Sequence, residues 1–453
     1  MSYIPHTDDD TKIMLDAIGV PSIEALFDEI PKTLRYEGFS NIPSGMTEQS
    51  MLKMAHKLAQ KNQHGLCFIG AGSYSHHIPA VVKTLAARGE FRTSYTPYQA
   101  EASQGTLQLL YEFQTMIAEL TGMDVANASL YDGATALAEA VLMAIRLKKS
   151  QKTHQILIVG TLHPFYRETL ETMIRYQPVE LITLPFNPTT GVTVIDKSLM
   201  QGYPDLTAIV MVQPNFFGCL EPVDALCDWA FEKNIIRIAC VNPTALGLLK
   251  PPGEWGQHGV DIACGEGQPL GVPMSSGGPY IGFISTKIAH VRQMPGRLIG
   301  RTLDKEGKEG FSLTLQAREQ HIRREKATSN ICTNQGLLVV HATIYMTLLG
   351  PNGLKAVATT AHNRTTFLLN QLTAIPGISR VFSSPYFHEV LLQFEKPLAP
   401  VLSSLRQAGI DGGYPVEAHF PLLKNTLLVC ATEMIDEEDI LYYASALRTI
   451  LGV

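Results

Sequence analysis

Between residues 104 and 266 the apolar positions recur with two different periods. Leu107, Leu110, Phe113, Ile117 and Leu120 are spaced by three and four, which predicts a helix with one buried face, closed by Gly122. A second helix is predicted after Asp132 through ATALAEAVLMAIRLKK, with small residues first and cations last, as its dipole favours. Short continuous apolar runs follow: ILIVG (156–160), VELITLPF (179–186), TAIVMVQPN (207–215), NIIRIACVN (234–242) and VDIACGE (260–266). Segments between them, such as VDALCDWAFEKN, read as helices. Continuous apolar strands alternating with helices predict an α/β fold with a mostly parallel central sheet covered on both faces. Ligands of such sheets bind in the loops beyond the strands' carboxyl ends.

The flanks follow other patterns. Thr7 to Asp10 is an acidic N-cap signal ahead of KIMLDAIGV, and IEALFDEI follows a Pro-Ser start. Residues 1–61 therefore read as an N-terminal helical arm, with a large α/β domain expected over 62–335. Past TSNICTNQGLLVVHATIYMTLLG the chain predicts a long helix, strands near HEVLLQF and NTLLVCA, and a final helix in DEEDILYYASALRTIL. Residues 336–453 are expected to form a smaller C-terminal α+β domain.

Composition narrows the class. With 453 residues, 45% apolar and 17% charged, the chain is ordinary for a globular protein. A net charge of −6 gives no reason to expect nucleic acid or an anionic membrane as a partner. The start MSYIPHTDDDTK lacks a signal pattern, and the longest apolar candidate for a membrane span, GLLVVHATIYMTLLG, is broken by His341. Seven scattered cysteines without a CxxC suit a reduced, cytoplasmic protein.

The obvious catalytic motifs are missing. His76 and His77 have no third ligand at useful spacing, so no metal is expected. GAGSYS is neither a nucleophile elbow nor a dinucleotide fingerprint. Four loops at strand ends carry more. SLYDGATALAEA puts Asp132, Gly133 and Thr135 at a helix N-terminus able to hold an anion. TLHPFY places His163 just after a strand, and ACVNPTALG places Asn242 at the end of another, where it also suits a turn before Pro243. GVDIACGEGQPLGVPMSSGGPYIGF, with seven glycines and no Lys, Arg or His, makes the mouth of a site without a nucleophile.

This layout resembles that of pyridoxal-phosphate-dependent transferases of aminotransferase fold type I. There a helix N-terminus takes the phosphate, an aromatic or His covers the ring, an Asp meets the ring nitrogen and a Lys after the next strand forms the Schiff base. Longer stretches point to one family. SYTPYQAEASQGTLQLLYEFQTMIAELTGMDVANASLYDGATALAEA, LLKPPGEWGQHGVDIACGEGQPLGVPMSSGGPYIGFIS and MPGRLIGRTLDKEGKEGFSLTLQAREQHIRREKATSNICTNQ, with the opening YIPHTDDD, resemble the N-terminal half of the P-protein of the glycine cleavage system. The likeness spans essentially the whole chain. In that family the two homologous halves are fused or made as two subunits, and this length matches one half, subunit 1.

The resemblance implies a tetramer of two such chains with two of subunit 2. Subunit 2 would supply the lysine and hold the pyridoxal phosphate, and no catalytic residue is expected here. At the lysine's place stands Gln268 or Pro269, and at the ring-nitrogen carboxylate's place Asn242. Asp132, Gly133, Thr135, His163, Asn242 and Gln268 would then line a degenerate cofactor site. In fold relatives a neighbour's loops complete each pocket. Here Tyr95 and Tyr98 of TSYTPYQ, and Thr328 and Ser329 of REKATSNICT, would be lent to the partner, although Ser329 also suits the N-cap of the long helix. Arg318, His321, Arg323 and Arg324 form a cationic cluster nearby. The implied reaction decarboxylates glycine and passes the aminomethyl group to the lipoyl arm of H-protein. Rival readings are a regulatory or scaffold paralogue without a catalytic partner, and an autonomous pyridoxal-phosphate enzyme. For the latter Lys250 and Lys287 lie too far along the chain from Gln268.

Overall fold

The computed structural model describes residues 5–36, 38, 41–62, 65–149, 152–195, 203 and 206–453. The chain divides into two compact units, 1–63 and 64–453.

In the first unit Thr7 caps the helix Asp8–Ile18 in a reciprocal box with Asp10, and Thr47 caps Glu48–Ala59. IEALFDEI makes only a 3-10 turn at Glu24–Phe27, too short to present a face. None of these elements buries a residue, and Ile13, Ile18, Leu34 and Leu58 are more than half exposed.

The second unit is built on a seven-stranded sheet. Each apolar run read as a strand is one: His154–Val159, Val179–Leu184, Leu206–Gln213, Ile236–Val241 and Ile262–Glu266, paired in parallel. Gly282–Thr286 returns antiparallel beside Ile262–Glu266, and Val125–Ala126 closes that edge. Successive strand residues feed opposite cores. Leu157, Ile209 and Ala239 enter one, while Ile156, Ile158, Val210 and Ile238 enter the other. Two buried faces are why Leu206–Gln213, Ile236–Val241 and Ile262–Glu266 are continuously apolar, whereas Val179–Leu184 lies at the sheet edge and is only partly buried. The helix Gln104–Thr121 ends where Gly122 turns left-handed at φ 65°. Gly133–Leu147 packs Ala136, Leu137, Ala140 and Val141 onto the sheet.

The long helix Gly336–Thr373 kinks at Gly350, ahead of Pro351. By length and composition it could cross a membrane. Its Val339, Val340, Ala342 and Tyr345 are nevertheless buried in one core and Leu368, Leu369 and Leu372 in another, as in a core helix. Its N-cap is Gln335, so Ser329 does not cap it. Beyond it, Ile378–Arg380, Glu389–Phe394, Thr426–Cys430 and Tyr414–Pro415 form a four-stranded antiparallel sheet in that order, followed by the helix Glu437–Leu451. The strand Leu66–Cys67 pairs in parallel with Ile410–Asp411, and Phe68 packs on Tyr443 with ring centroids 4.6 Å apart. The start of this unit thus joins the core of its C-terminal part.

Candidate functional site

The strands Leu206–Gln213, Ile236–Val241 and Ile262–Glu266 end on a cavity of about 80 Å³. Tyr74, His163, Tyr166, Asn242, Glu266, Pro269, His388 and Glu389 are among the residues on its wall, and no Lys or Arg among the described residues is.

His163 caps the helix Pro164–Ile174. Its Nδ1 accepts the Phe165 N–H at 3.2 Å while Nε2 donates to the Ala71 carbonyl at 2.9 Å, which selects the neutral Nε2–H tautomer. Burial holds its pKa below the ordinary value. Tyr166 stacks on the ring at 4.9 Å. Asn242 closes a turn and also stands on the cavity wall. Its Oδ1 accepts the Thr244 N–H at 2.9 Å to close a turn, while Nδ2 lies 3.4 Å from His388 Nε2 on the cavity side.

Gln268 is buried and not on the cavity wall. Its Nε2 donates to the carbonyls of Tyr74 at 2.9 Å and Val272 at 2.8 Å, and its Oε1 accepts the Tyr74 N–H at 2.9 Å. Of the two candidates for the tether position, Pro269 is the one facing the pocket.

Asp132 and Thr135 form a capping box, with Oδ1 accepting the Thr135 N–H at 2.8 Å. The Gly133 N–H goes instead to Glu266, whose Oε2 accepts it at 2.9 Å, while Oε1 accepts the Gln268 N–H at 2.9 Å. Burial pushes this carboxyl up to about 8, against the pull of those two N–H groups. Glu389 is similar. Its oxygens accept from the Ala71 N–H at 2.7 Å and the Tyr74 hydroxyl at 2.8 Å, and burial pushes it up to about 7. Neither acid is singled out by sequence reasoning; the only signal was an acid between two glycines in GEG. Burial also lowers the His388 pKa, and its Nδ1 has no hydrogen-bond partner among the described residues. His76 is committed to Glu433, at 2.8 Å.

None of the four residues expected to serve a neighbour lines this cavity. The structure does bring their two segments together. The Tyr95 hydroxyl lies 3.5 Å from Thr333 Oγ1, and the Arg297 guanidinium sits 5.5 Å from the centre of the Tyr98 ring. His321 is 5.0 Å from the same ring. Tyr95 is 89% exposed. Ser329 departs from expectation: its hydroxyl donates to the buried Glu139 at 2.7 Å and accepts the Ile331 N–H at 3.1 Å, so it is spent inside the chain. Arg318 of the cationic cluster also turns inward, to the carbonyls of Met294 and Gly296.

The chain matches the family model of the glycine cleavage system P-protein over residues 1–447. It is 65% identical over 452 residues to the probable glycine dehydrogenase (decarboxylating) subunit 1 of Legionella pneumophila, covering 100% of this chain and 99% of that one. Among solved structures it is similar to glycine decarboxylase (P-protein) of the glycine cleavage system in inhibitor-bound form. That likeness has a TM-score of 0.89 at 42% identity and covers 99% of this chain and 100% of that one. A C-DES mutant with glycine covalently linked to its PLP cofactor shares the fold alone, with a TM-score of 0.61 at 14% identity over 86% of this chain and 98% of that one. The fold is thus the pyridoxal-phosphate-dependent type I fold expected. The pocket does not fit the cofactor: Pro269 offers no amine, Asn242 no charge, and Glu266 already takes the Gly133 N–H.

Proposed function

Because the chain belongs to the glycine cleavage system P-protein family and has no amine at the strand end of its own pocket, we propose that it is the helper half of a two-subunit glycine dehydrogenase (decarboxylating). It is subunit 1 of an aminomethyl-transferring oxidoreductase, active only with subunit 2. The partner holds the pyridoxal phosphate, which when bound draws electrons from the α-carbon of glycine. Two copies of each subunit assemble, decarboxylate glycine and pass the aminomethyl group to the lipoyl arm of H-protein. The observation that carries this reading is Gln268, with its amide spent on Tyr74 and Val272, beside Pro269 on the cavity wall. All seven cysteines are free thiols, in keeping with a cytoplasmic location. Each subunit alone should give no glycine–bicarbonate carbon exchange, and mixing them should restore it. Exchange by this chain alone would overturn the division of labour.

The arm supplies the exposed apolar surface such pairing needs, in Ile13, Ile18, Leu34 and Leu58. Tyr95, Tyr98 and Thr328 are the groups lent to the partner's pocket. Tyr95→Ala should lower kcat/KM of the assembled enzyme about tenfold or more, roughly 1.4 kcal/mol of transition-state stabilisation. The isolated subunit should melt as before, because Tyr95 is 89% exposed. An unchanged kcat/KM would remove Tyr95 from this role.

A further inference from the structure

The helix Gly133–Leu147 points its first N–H at a seat that is already taken. Glu266 Oε2 accepts from Gly133 at 2.9 Å, and Asp132 Oδ1 accepts from Thr135 at 2.8 Å. Two of the amides at the head of the helix, those of Gly133 and Thr135, are thus taken by carboxyls of the same chain. The approach is shaped for this. A Cβ on Gly133 would lie 2.4 Å from the Tyr166 hydroxyl and 2.8 Å from Glu266 Cβ, so only glycine lets the strand-end acid come so close. Glu266 is held from its other side by the Gln268 N–H at 2.9 Å. It stands on the cavity wall beside His163, Tyr166 and Asn242.

We propose that Glu266 is an intramolecular substitute for a ligand's phosphate. Its carboxyl fills the anion seat at the head of the helix, so the pocket keeps its shape with nothing bound and refuses phosphorylated ligands. A helix N-terminus favours phosphate through its free N–H groups and its dipole. An incoming phosphate would first have to expel Glu266, and would then meet Asp132 with no Lys or Arg among the described residues of the cavity wall to offset the repulsion. Because burial pushes the Glu266 carboxyl up to about 8, the plug holds its place at neutral pH without a full negative charge. The inference does not depend on which reaction the assembled enzyme performs. Its failure would leave the subunit assignment standing, and the reverse holds too.

Glu266→Ser vacates the seat, and inorganic phosphate is the probe, with chloride at matched ionic strength as the control. At about 10 mM phosphate the full-length variant should melt about 1–3 °C higher than in chloride, and the wild-type chain should not shift. A wild-type shift as large as the variant's would overturn the proposal, and so would a folded variant that ignores phosphate. Where the variant does not fold, hydrogen exchange on the wild-type chain decides. First-turn helix amides ordinarily exchange freely, so the Gly133 amide should be slowed about 100-fold or more, and free exchange there would sink the idea.

Discussion

Replacing Asp261 with Ala should destabilise the chain by about 3–5 kcal/mol, read as a lower urea midpoint, because it strands a buried guanidinium. Arg237 is 5% exposed and sits inside the sheet. Asp261 Oδ2 accepts from the Arg237 N–H at 3.0 Å and from Nε at 2.9 Å, while Oδ1 accepts from Nη2 at 2.7 Å and from Lys287 Nζ at 3.2 Å. Arg237 Nη1 has no hydrogen-bond partner among the described residues. Burial alone would raise the Asp261 carboxyl, but the His290 ring and the Arg237 groups together hold it well below the usual carboxylate range. A depressed folded pKa gives stability that is present above the unfolded value of about 3.9 and is lost as the pH falls toward the folded one. Asp261→Ala should therefore also remove much of the steep decline on the acid side. A variant within about 1 kcal/mol of wild type would mean that the pair is not buried as described.

The second large effect has the opposite sign. Glu266 and Glu389 have folded pKa values of about 8 and about 7, both above the ordinary 4.5, with burial the main cause. The folded chain therefore keeps protons that the unfolded chain gives up. Stability from these groups is complete below the unfolded value and is lost as the pH rises through the folded ones. Tyr166 beside Glu266 and Tyr74 beside Glu389 are pushed up by burial and stay uncharged over this range. The unfolding free energy should fall between pH 5 and 8 with a slope approaching about 1.4 kcal/mol per pH unit for each acid. Glu266→Gln combined with Glu389→Gln should flatten that slope. A wild-type denaturation midpoint that holds level from pH 5 to 8 would contradict the burial of both carboxyls.

The central sheet was legible because its inner strands serve two cores, so Ile156 to Val159 or Ile236 to Val241 needed no periodicity to be read. The cavity was legible only by halves. Of the residues on its wall, His163 and Asn242 announce themselves at strand ends. Glu266 does not, because its partner Gly133 lies 133 residues away. Glu389 meets Ala71 across 318 residues, through a sheet whose placement no local pattern reports. Ser329 shows the same limit: a hydroxyl ahead of a long helix reads as a group lent to a neighbour or as a cap until Glu139, an acid within an alanine-rich helix, draws it inward. Arg237 and Asp261 sit in text that otherwise reads as plain strand, and only the parallel neighbouring of Ile236–Val241 and Ile262–Glu266 makes them a pair.

The pairing of Leu66–Cys67 with Ile410–Asp411 bears on how the molecule is made. A ribosome must release nearly all of the 64–453 unit before its first strand meets its neighbour. The segments of the seven-stranded sheet emerge in between and can dock as they appear. Biosynthesis therefore closes this unit at its two extremities, and late interruption of translation leaves an assembled centre with an unmatched leading strand.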